Sequence, residues 1–323
     1  MSVRRQKFWI ICFVSFAIIL GIGGCGKTAY PSIPKNQDFI ASVNIQAPSI
    51  SFINEKGKVF TTWKLDEAYT GATLINQQQI LLYGFQLKKA TVYNLTTGKQ
   101  EFTMDTGVGI TNGIYDKVHK QIYLANGKTN DVTAYNEEGR QISKQKVGNY
   151  PMAMMIHGGQ LFVVNYKDTK LSILQTKSLK LQKEWTIQKS SNGMVIVKNQ
   201  LWLGGHGEGM KPNSKVEIYN LESGKKVSQI KLPMMPVGFV KGADRVYVIS
   251  HGNSVLSEVT FDGKIKHTLE VGANPFTVNL FKSFVVVAGY DDRNVYFLQN
   301  GKIAKVINVG KGPFQLLKRE TEE

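Results

Sequence analysis

Short apolar segments and polar turns alternate along almost the whole chain, with a period of about forty residues. Each unit holds a hydrophobic segment that ends in Gly or Asn, a polar loop, a second apolar segment, a turn and an alternating segment. Val, Ile, Tyr, Phe and Thr are the residues that favour pleated surfaces, and no long window outside the N-terminus has helical spacing, so we predict strands throughout. The turn is the clearest marker, at Gly57-Lys58, Gly98-Lys99, Gly139-Arg140, Ser178-Leu179-Lys180, Gly224-Lys225, Gly263-Lys264 and Gly301-Lys302.

A repeat of this length with several short strands per unit predicts a β-propeller, in which each unit forms one four-stranded blade. The first unit, from Ile40, has only three strands, whereas the chain ends with a spare strand from Gly312 to Lys318 that matches the opening of a unit at Asn274. We therefore predict an all-β, seven-bladed propeller over residues 40–318, closed by pairing of the C-terminal strand with the N-terminal three. Six or eight blades would result if one unit were misassigned. Complete units are expected at 68–107, 108–148, 149–188, 189–233, 234–272 and 273–310.

The N-terminus has a different character, because three basic residues precede an apolar run from Phe8 to Ile22. This pattern predicts a secretory signal rather than a spanning helix. The run ends in Leu20-Gly21-Ile22-Gly23-Gly24-Cys25, which resembles the bacterial lipobox, and the resemblance implies cleavage before Cys25 and diacylglycerol modification of its thiol. We expect a signal peptide over 1–24, a lipidated Cys25 with a flexible tether over 25–39, and a C-terminal tail over 319–323. An ordinary cleaved signal and an uncleaved anchor are the alternatives.

Cysteine and charge agree with an exported protein. Cys12 lies inside the signal, so Cys25 is the only thiol of the mature chain and no internal disulfide can form. The formal charge is +16 on the full chain, and it falls to +13 when Arg4, Arg5 and Lys7 are removed with the signal. Such a charge favours binding to polyanions, here anionic lipid or wall polymers, but we favour the alternative that scattered lysines solubilise strand edges and turns. We expect no nucleic acid as a partner.

One motif in this region matches a nucleotide site by letters alone. Gly21 to Thr28 satisfies the phosphate-loop pattern, but Pro31 and Pro34 follow it where that site needs a helix. We therefore assign no nucleotide to it and expect no cofactor.

The blade segments resemble a known repeat. Val246-Tyr247-Val248-Ile249-Ser250-His251-Gly252-Asn253 and Ile122-Tyr123-Leu124-Ala125-Asn126-Gly127 are similar to the YVTN repeat, as are the links Val147 to Pro151, Val271 to Pro275 and Val309 to Pro313. Over residues 40–318 the chain thus resembles the YncE-like seven-bladed propellers of bacterial surfaces and periplasms. The resemblance implies a fold and an extracytoplasmic location, but a repeat pattern of this kind specifies no activity.

Chemistry is expected on one face, where the loops between second and third strands meet the links between blades around the channel mouth. The longest of these loops, Gly204 to Lys215, exceeds its counterparts by about six residues and carries a His and a Glu that could act as a base or as metal ligands. His-x-Glu alone is a weak metal motif, since a zinc site needs three or four ligands, and an inert insertion is the alternative. The candidate ligand-binding residues on this face are His206, Glu208, Lys211, Asn126, Lys128, Asn165, Lys167, His251 and Asp292.

Two further residue types have structural and functional interpretations. Met234 and Met235, with three methionines at 152–155, begin innermost strands and could form a soft lining suited to an apolar peptide or copper, or simply pack between blades. Trp63, Trp185 and Trp202 are expected in the interblade core.

These patterns predict a non-catalytic binding or scaffolding module, anchored by lipid on Cys25 to the outer face of a bacterial cytoplasmic membrane. Its partner would be an extracytoplasmic protein or an anionic envelope polymer, and we expect a monomer with no catalytic residue and no resident metal. The alternative is an extracytoplasmic enzyme on the same face, since seven-bladed folds include lactone hydrolases and subunits of quinone-dependent dehydrogenases. Converging acid, base or metal ligands at the channel mouth would distinguish the two.

Overall fold

The computed structural model describes residues 29–321, and these form a ring of seven four-stranded antiparallel sheets. The predicted signal peptide and Cys25 lie outside the described residues, as do the last two residues of the predicted tail. Within residues 29–321 there is no helix long and apolar enough to cross a membrane. The prediction of an all-β propeller with seven blades is confirmed.

Strands are numbered in chain order, and blades from the one that contains the first strand. Blade 1 holds β1 (Phe39–Asn44), β2 (Ser49–Ile53), β3 (Val59–Lys64) and β30 (Pro313–Arg319). Blade 2 holds β4 (Gly71–Leu74), β5 (Gln79–Tyr83), β6 (Lys89–Asn94) and β7 (Gln100–Asp105), and blade 3 holds β8 (Ile110–Asp116), β9 (Gln121–Asn126), β10 (Asp131–Asn136) and β11 (Gln141–Lys146). Blade 4 holds β12 (Pro151–His157), β13 (Gln160–Asn165), β14 (Lys170–Gln175) and β15 (Leu181–Thr186).

Blade 5 holds β16 (Ser191–Val197), β17 (Gln200–Gly205), β20 (Lys215–Asn220) and β21 (Lys226–Lys231), and its long loop forms a separate two-stranded hairpin of β18 (Gly207–Glu208) and β19 (Lys211–Pro212). Blade 6 holds β22 (Pro236–Lys241), β23 (Arg245–Ser250), β24 (Val255–Thr260) and β25 (Ile265–Glu270), with a short 3-10 helix at His251–Asn253. Blade 7 holds β26 (Pro275–Phe281), β27 (Phe284–Gly289), β28 (Asn294–Gln299) and β29 (Lys302–Asn308).

Ring closure follows the predicted route. β30 pairs antiparallel with β1, with Ser42 opposite Leu316. It occupies the innermost position of blade 1, between the innermost strands β26 and β4 of the neighbouring blades. The composite blade therefore removes the open sheet edge that an N-terminal sheet of three strands would leave.

Burial depends on a strand's position in its blade. The second and third strands are covered on both faces by adjacent blades, and β1 and β2 are buried along their whole length. This explains why these segments read as continuous apolar runs rather than as alternating ones. The fourth strands, such as β11, face solvent with mostly polar residues. Trp63, Trp185 and Trp202 lie in the buried clusters between blades, which confirms their predicted place in the core.

The recurrent turn glycine has a conformational reason. The glycines of the marker turn all have positive φ, from 66° at Gly224 to 85° at Gly263. Glycine adopts this left-handed conformation without the steric cost of a Cβ. In blade 4 the same position is taken by Leu179, with φ 58° and a side chain that is buried in the core. The turn at Ser178-Leu179-Lys180 therefore keeps the backbone conformation of the other marker turns. Its leucine lacks the conformational freedom of glycine but buries an apolar side chain.

The segment predicted as a flexible tether is packed against the ring over residues 29–38. The Tyr30 ring stacks on Trp63 with centroids 4.8 Å apart, and the Trp63 Nε1–H donates to the Pro31 carbonyl at 2.9 Å. Ile33 is fully buried in the core between blades 1 and 2, and its N–H donates to the Leu95 carbonyl at 2.8 Å. The prediction of a tether was based on the prolines and polar residues of this segment. The side chains that pack against the ring are those of Tyr30 and Ile33.

Candidate functional site

The loops between second and third strands and the links between blades meet on one face, as predicted. Backbone hydrogen bonds join them: the Tyr166 N–H donates to the Tyr150 carbonyl at 2.9 Å, and the His251 N–H donates to the Met235 carbonyl at 3.1 Å. We call this side the loop face, and the side with the marker turns the turn face.

A chain of aromatic rings runs across the loop face. Successive centroids lie 6.2 Å apart for Phe85 and Tyr150, 6.4 Å for Tyr150 and Tyr166, and 5.6 Å for Tyr166 and His206. The chain continues through His251 into a cluster of three further rings from blades 7 and 1. All eight side chains are only partly buried, so this aromatic arc presents ring surface to solvent. The aromatic arc consists of Phe85, Tyr150, Tyr166, His206, His251, Phe276, Tyr290 and Phe314.

The repeat itself places these rings. Four members of the arc are the first residue after the second strand of their blade, and the arc residue of blade 2, Phe85, comes one residue later, after Gly84. The four at the first position are Tyr166, His206, His251 and Tyr290. In blade 3 that position is Gly127, and a Cβ there would lie 2.9 Å from the Tyr150 ring, so the glycine leaves room for Tyr150. The sequence prediction weighed charged and polar residues and missed the arc, although aligning this one position across the repeats would have revealed four of its rings.

Two predicted lysines lie over rings of the arc. Lys128 Nζ is 5.3 Å from the Phe85 centroid, and Lys167 Nζ is 4.5 Å from the Tyr150 centroid. Both separations are within cation–π range. These lysines cover one end of the arc, while the opposite end, at Phe276 and Phe314, has no such cation among the contacts of the described residues.

Three other predicted ligand-binding residues form hydrogen bonds with backbone groups of the loops. Asn126 and Asn165 are buried. Asn126 Oδ1 accepts from the Lys128 N–H, and its Nδ2 donates to the Val108 carbonyl. Asp292 accepts from the Ala273 N–H at 2.8 Å and from the Tyr296 hydroxyl at 2.7 Å. Asn165 Nδ2 donates to the Lys170 carbonyl and to Ser172 Oγ, each at 3.0 Å. These contacts hold the loops in place.

The long loop of blade 5 keeps its polar residues apart from its histidine. Glu208 and Lys211 face each other across the small hairpin. Glu208 forms an exposed ion pair with Lys189 at 2.7 Å, and its side chain is 65% exposed. His206 instead turns towards the arc, so the structure does not join His206 and Glu208 into one site.

His206 and His251 do come together. Their ring centroids lie 4.9 Å apart at an interplanar angle of 68°. His251 also stacks on Phe276, with centroids 4.6 Å apart, and its Nδ1 lies 2.9 Å from Asn274 Oδ1. The hydrogen bonds and ion pairs of the described residues bring no carboxylate to either imidazole. Over residues 29–321 no three His, Cys, Asp or Glu side chains form a group suited to a metal ion.

No protein-family model matches the chain, and no curated protein matches it. Several solved structures do match it. Hydrazine synthase from Kuenenia stuttgartiensis is 13% identical with a TM-score of 0.73, over 86% of this chain and 98% of that one. A functionally unknown protein from Desulfotomaculum acetoxidans is 10% identical with a TM-score of 0.72, over 88% and 100%. Apo AztD from Citrobacter koseri is 11% identical with a TM-score of 0.61, over 88% and 97%. The chain shares their propeller fold. Identities this low establish fold alone, because one propeller scaffold carries many functions.

The propeller's stability should depend on pH through His206. Burial, and then the neighbouring His251, lower the pKa of His206 from its usual 6.5 to about 4. Between these values the unfolded chain binds more protons than the folded one, so the free energy of unfolding should fall as pH falls from about 6.5 to about 4. His206→Phe keeps a ring in the arc and should reduce this slope, measured by urea unfolding near pH 7 and near pH 5. His267→Phe, at an exposed outer position, is the control that should keep the slope. Equal slopes in the wild type and His206→Phe would contradict this assignment.

Proposed function

We propose that this chain is a non-catalytic binding module that holds an extracytoplasmic protein against the aromatic arc of its loop face. The observation that carries the proposal is the arc itself, eight partly exposed rings set on the loops and innermost strand ends of a rigid ring. Aromatic residues and methionine are enriched at the centres of protein interfaces, and rigid rings lose little entropy on binding. Met234, 37% exposed beside the arc, adds adaptable apolar surface.

The charge of the loop face indicates the kind of partner. The loops and links on this face contain seven basic and six acidic residues, so the large positive charge of the chain is located elsewhere. A nearly balanced face does not select a polyanion. We therefore favour a protein segment with apolar side chains over an anionic envelope polymer. The residues are Lys88, Lys128, Lys167, Lys189, Lys211, Arg293 and Lys311, and Asp66, Glu67, Asp168, Glu208, Asp291 and Asp292.

The enzymatic alternative has less support. General acid–base catalysis needs a titratable pair within hydrogen-bond reach of a substrate. The two imidazoles at the mouth have no carboxylate beside them among the described residues, and Glu208 is paired with Lys189.

We further propose that the module is a bacterial lipoprotein of the YncE-like kind, anchored through Cys25 at the outer face of the cytoplasmic membrane. The docked segment supports this arrangement, because the Tyr30 N–H donates to the Gly98 carbonyl in a marker turn, on the turn face. Four residues of extended chain reach at most about 14 Å, so an anchor at Cys25 would lie near the turn side of the ring. The aromatic arc, on the other face, would then be directed away from the anchor.

The test is site-specific photo-crosslinking on intact cells, with a benzophenone amino acid at Tyr166. We expect a discrete protein adduct. Phe276→Ala removes the ring that contacts His251, Tyr290 and Phe314, and it should lower the yield of the adduct at least about tenfold, as loss of an interface hot spot would. Probe placement at Val118, which is 84% exposed on the turn face, should give no such adduct. In the same cells, Cys25→Ser should move the protein out of the membrane fraction.

The matched control for Phe276→Ala is Ile303→Ala, an exposed apolar residue on an outer strand, which should leave the adduct unchanged. An adduct of heterogeneous size that glycan-degrading enzymes reduce to one size would identify a carbohydrate and contradict a protein partner. An adduct that Phe276→Ala does not reduce would show that the arc is not the binding surface. Retention of Cys25→Ser in the membrane fraction would refute the lipid anchor without affecting the arc.

A further inference from the structure

The histidine pair in the arc contains two buried ring nitrogens that nothing in the structure satisfies. Over the described residues, neither Nδ1 of His206 nor Nε2 of His251 has a hydrogen-bond partner, although both atoms are shielded from solvent. Buried polar atoms are paired in the great majority of cases, so each exception calls for a specific explanation such as an ion. Of the eight such atoms among the described residues, these two belong to rings whose centroids are 4.9 Å apart.

The neighbouring residues prepare one of these nitrogens to be an electron-pair donor. Asn274 Oδ1 can only accept, so His251 Nδ1 must carry the proton of that 2.9 Å hydrogen bond. The Nε2 atom of a neutral His251 ring therefore keeps a free lone pair. Metal-binding histidines are oriented in this way, with the second ring nitrogen donating to a protein oxygen.

The spacing of the rings suits a shared ion. An ion about 2.0 Å from one nitrogen of each ring would lie about 3.2 Å from each centroid, and centroids at the observed separation would then subtend about 100° at the ion. The separation of the rings therefore allows both to bind one ion.

A soft third donor lies against the same turn. The Met234 N–H donates to Asn253 Oδ1 at 2.6 Å, and a Cβ on Gly252 would lie 3.1 Å from the Met234 Cβ. Met234 follows Pro233 on the partly exposed link beside His251. Zn²⁺ sites normally use three or four His, Cys or carboxylate ligands, and no such group exists in residues 29–321. Imidazole and thioether donors without carboxylates favour Cu(I).

We propose that His206 and His251 bind one Cu(I) ion, with the Met234 thioether as the third donor and Asn274 as a positioning residue. This proposal rests on the two unpaired ring nitrogens and the residues beside them, and it does not depend on the proposed protein partner.

The test is competition for Cu(I) against the coloured chelator bicinchoninate, using the full chain with its two cysteine thiols alkylated. One equivalent should move from chelator to protein. His206→Ala or His251→Ala should weaken binding at least about tenfold, and Met234→Leu should weaken it less. His267→Ala, whose ring lies on an outer strand, is the control that should bind like the wild type.

The role of Asn274 is tested by a conservative pair. Its φ of 53° suits glycine or aspartate, so Asn274→Gly should weaken copper binding and Asn274→Asp, which keeps an acceptor, should retain it. Equal melting temperatures of the apo variants would exclude misfolding as the cause. No transfer from the chelator, or transfer that survives both histidine variants, would overturn the proposal, as would tight binding of Zn²⁺ in place of copper. Phe314→Ala, in the arc but outside the pair, should keep copper binding even where it lowers partner cross-linking.

Discussion

A chain that ends at Gly312, and so lacks β30, is expected to lose its cooperative fold. Without β30 the innermost position of blade 1 is vacant and β1 becomes an open edge. Leu316 and Leu317 pack into the interblade clusters on either side of blade 1, so both clusters would open. Gln315 also bonds both the N–H and the carbonyl of Ala72 at 2.9 Å, which ties blade 1 to blade 2. Circular dichroism melting and size-exclusion chromatography should show aggregation and no sharp transition.

Two comparisons make this result specific to the closing strand. A chain that ends at Thr321 lacks only the last two residues and should melt like the full chain. A synthetic peptide of residues 311–321, added to the truncated chain during refolding, should restore part of the transition by adding the missing strand to the edge of β1. A truncated chain that melts sharply within a few degrees of the full chain would show that six blades suffice for stability.

The second large effect is expected at Arg319, the last residue of β30. Arg319 is 2% exposed, and its guanidinium donates to the carbonyls of Pro34, Gln37 and Gln77. It also lies over the Phe39 ring, with 4.6 Å from Cζ to the centroid. One side chain thus joins the docked N-terminal segment, the closing strand and blade 2.

Arg319→Met should lower the free energy of unfolding by about 3–5 kcal/mol, because three carbonyls lose the donor that this buried charged side chain supplies. That is a large part of a typical total of about 5–15 kcal/mol. Arg319→Lys keeps the charge but cannot span all three carbonyls, so it should fall between Met and the wild type. Urea unfolding measures the differences.

The neighbouring Lys318 provides the matched control. Its partly exposed side chain pairs with Glu320 at 2.9 Å, and a surface ion pair contributes about 0–1 kcal/mol. Lys318→Ala should therefore change stability little. If Arg319→Met and Lys318→Ala unfolded at the same urea concentration, Arg319 would not join the ends of the chain as described here.

The fold could be predicted because a repeated local pattern determines it. The unit predicted over 273–310 contains the four strands β26 to β29, which begin at Pro275 and end at Asn308. The match between Gly312 to Lys318 and the opening of a unit was sufficient to predict ring closure, because an innermost strand can only complete the blade that lacks one.

The candidate site was predicted less well, because its parts are defined by contacts between blades. Asn126 and Asn165 have the residue type of a ligand contact, yet each caps the loop of its own blade. Nothing local distinguishes such an Asn from one exposed to a ligand. The eight rings of the arc come from six blades, and their adjacency exists only once the ring has closed.

The sequence by itself therefore determined the strands, the blade count, the closing strand and the face that carries the loops, since each follows from periodicity along the chain. Only the tertiary structure decided which loop residues meet. It placed His206 beside His251 rather than Glu208, it joined the rings into one arc, and it docked residues 29–38 onto the ring through Tyr30, Ile33 and the carbonyls that Arg319 binds. These contacts join residues far apart in the chain, and their energies depend on burial and distance, which no local pattern encodes.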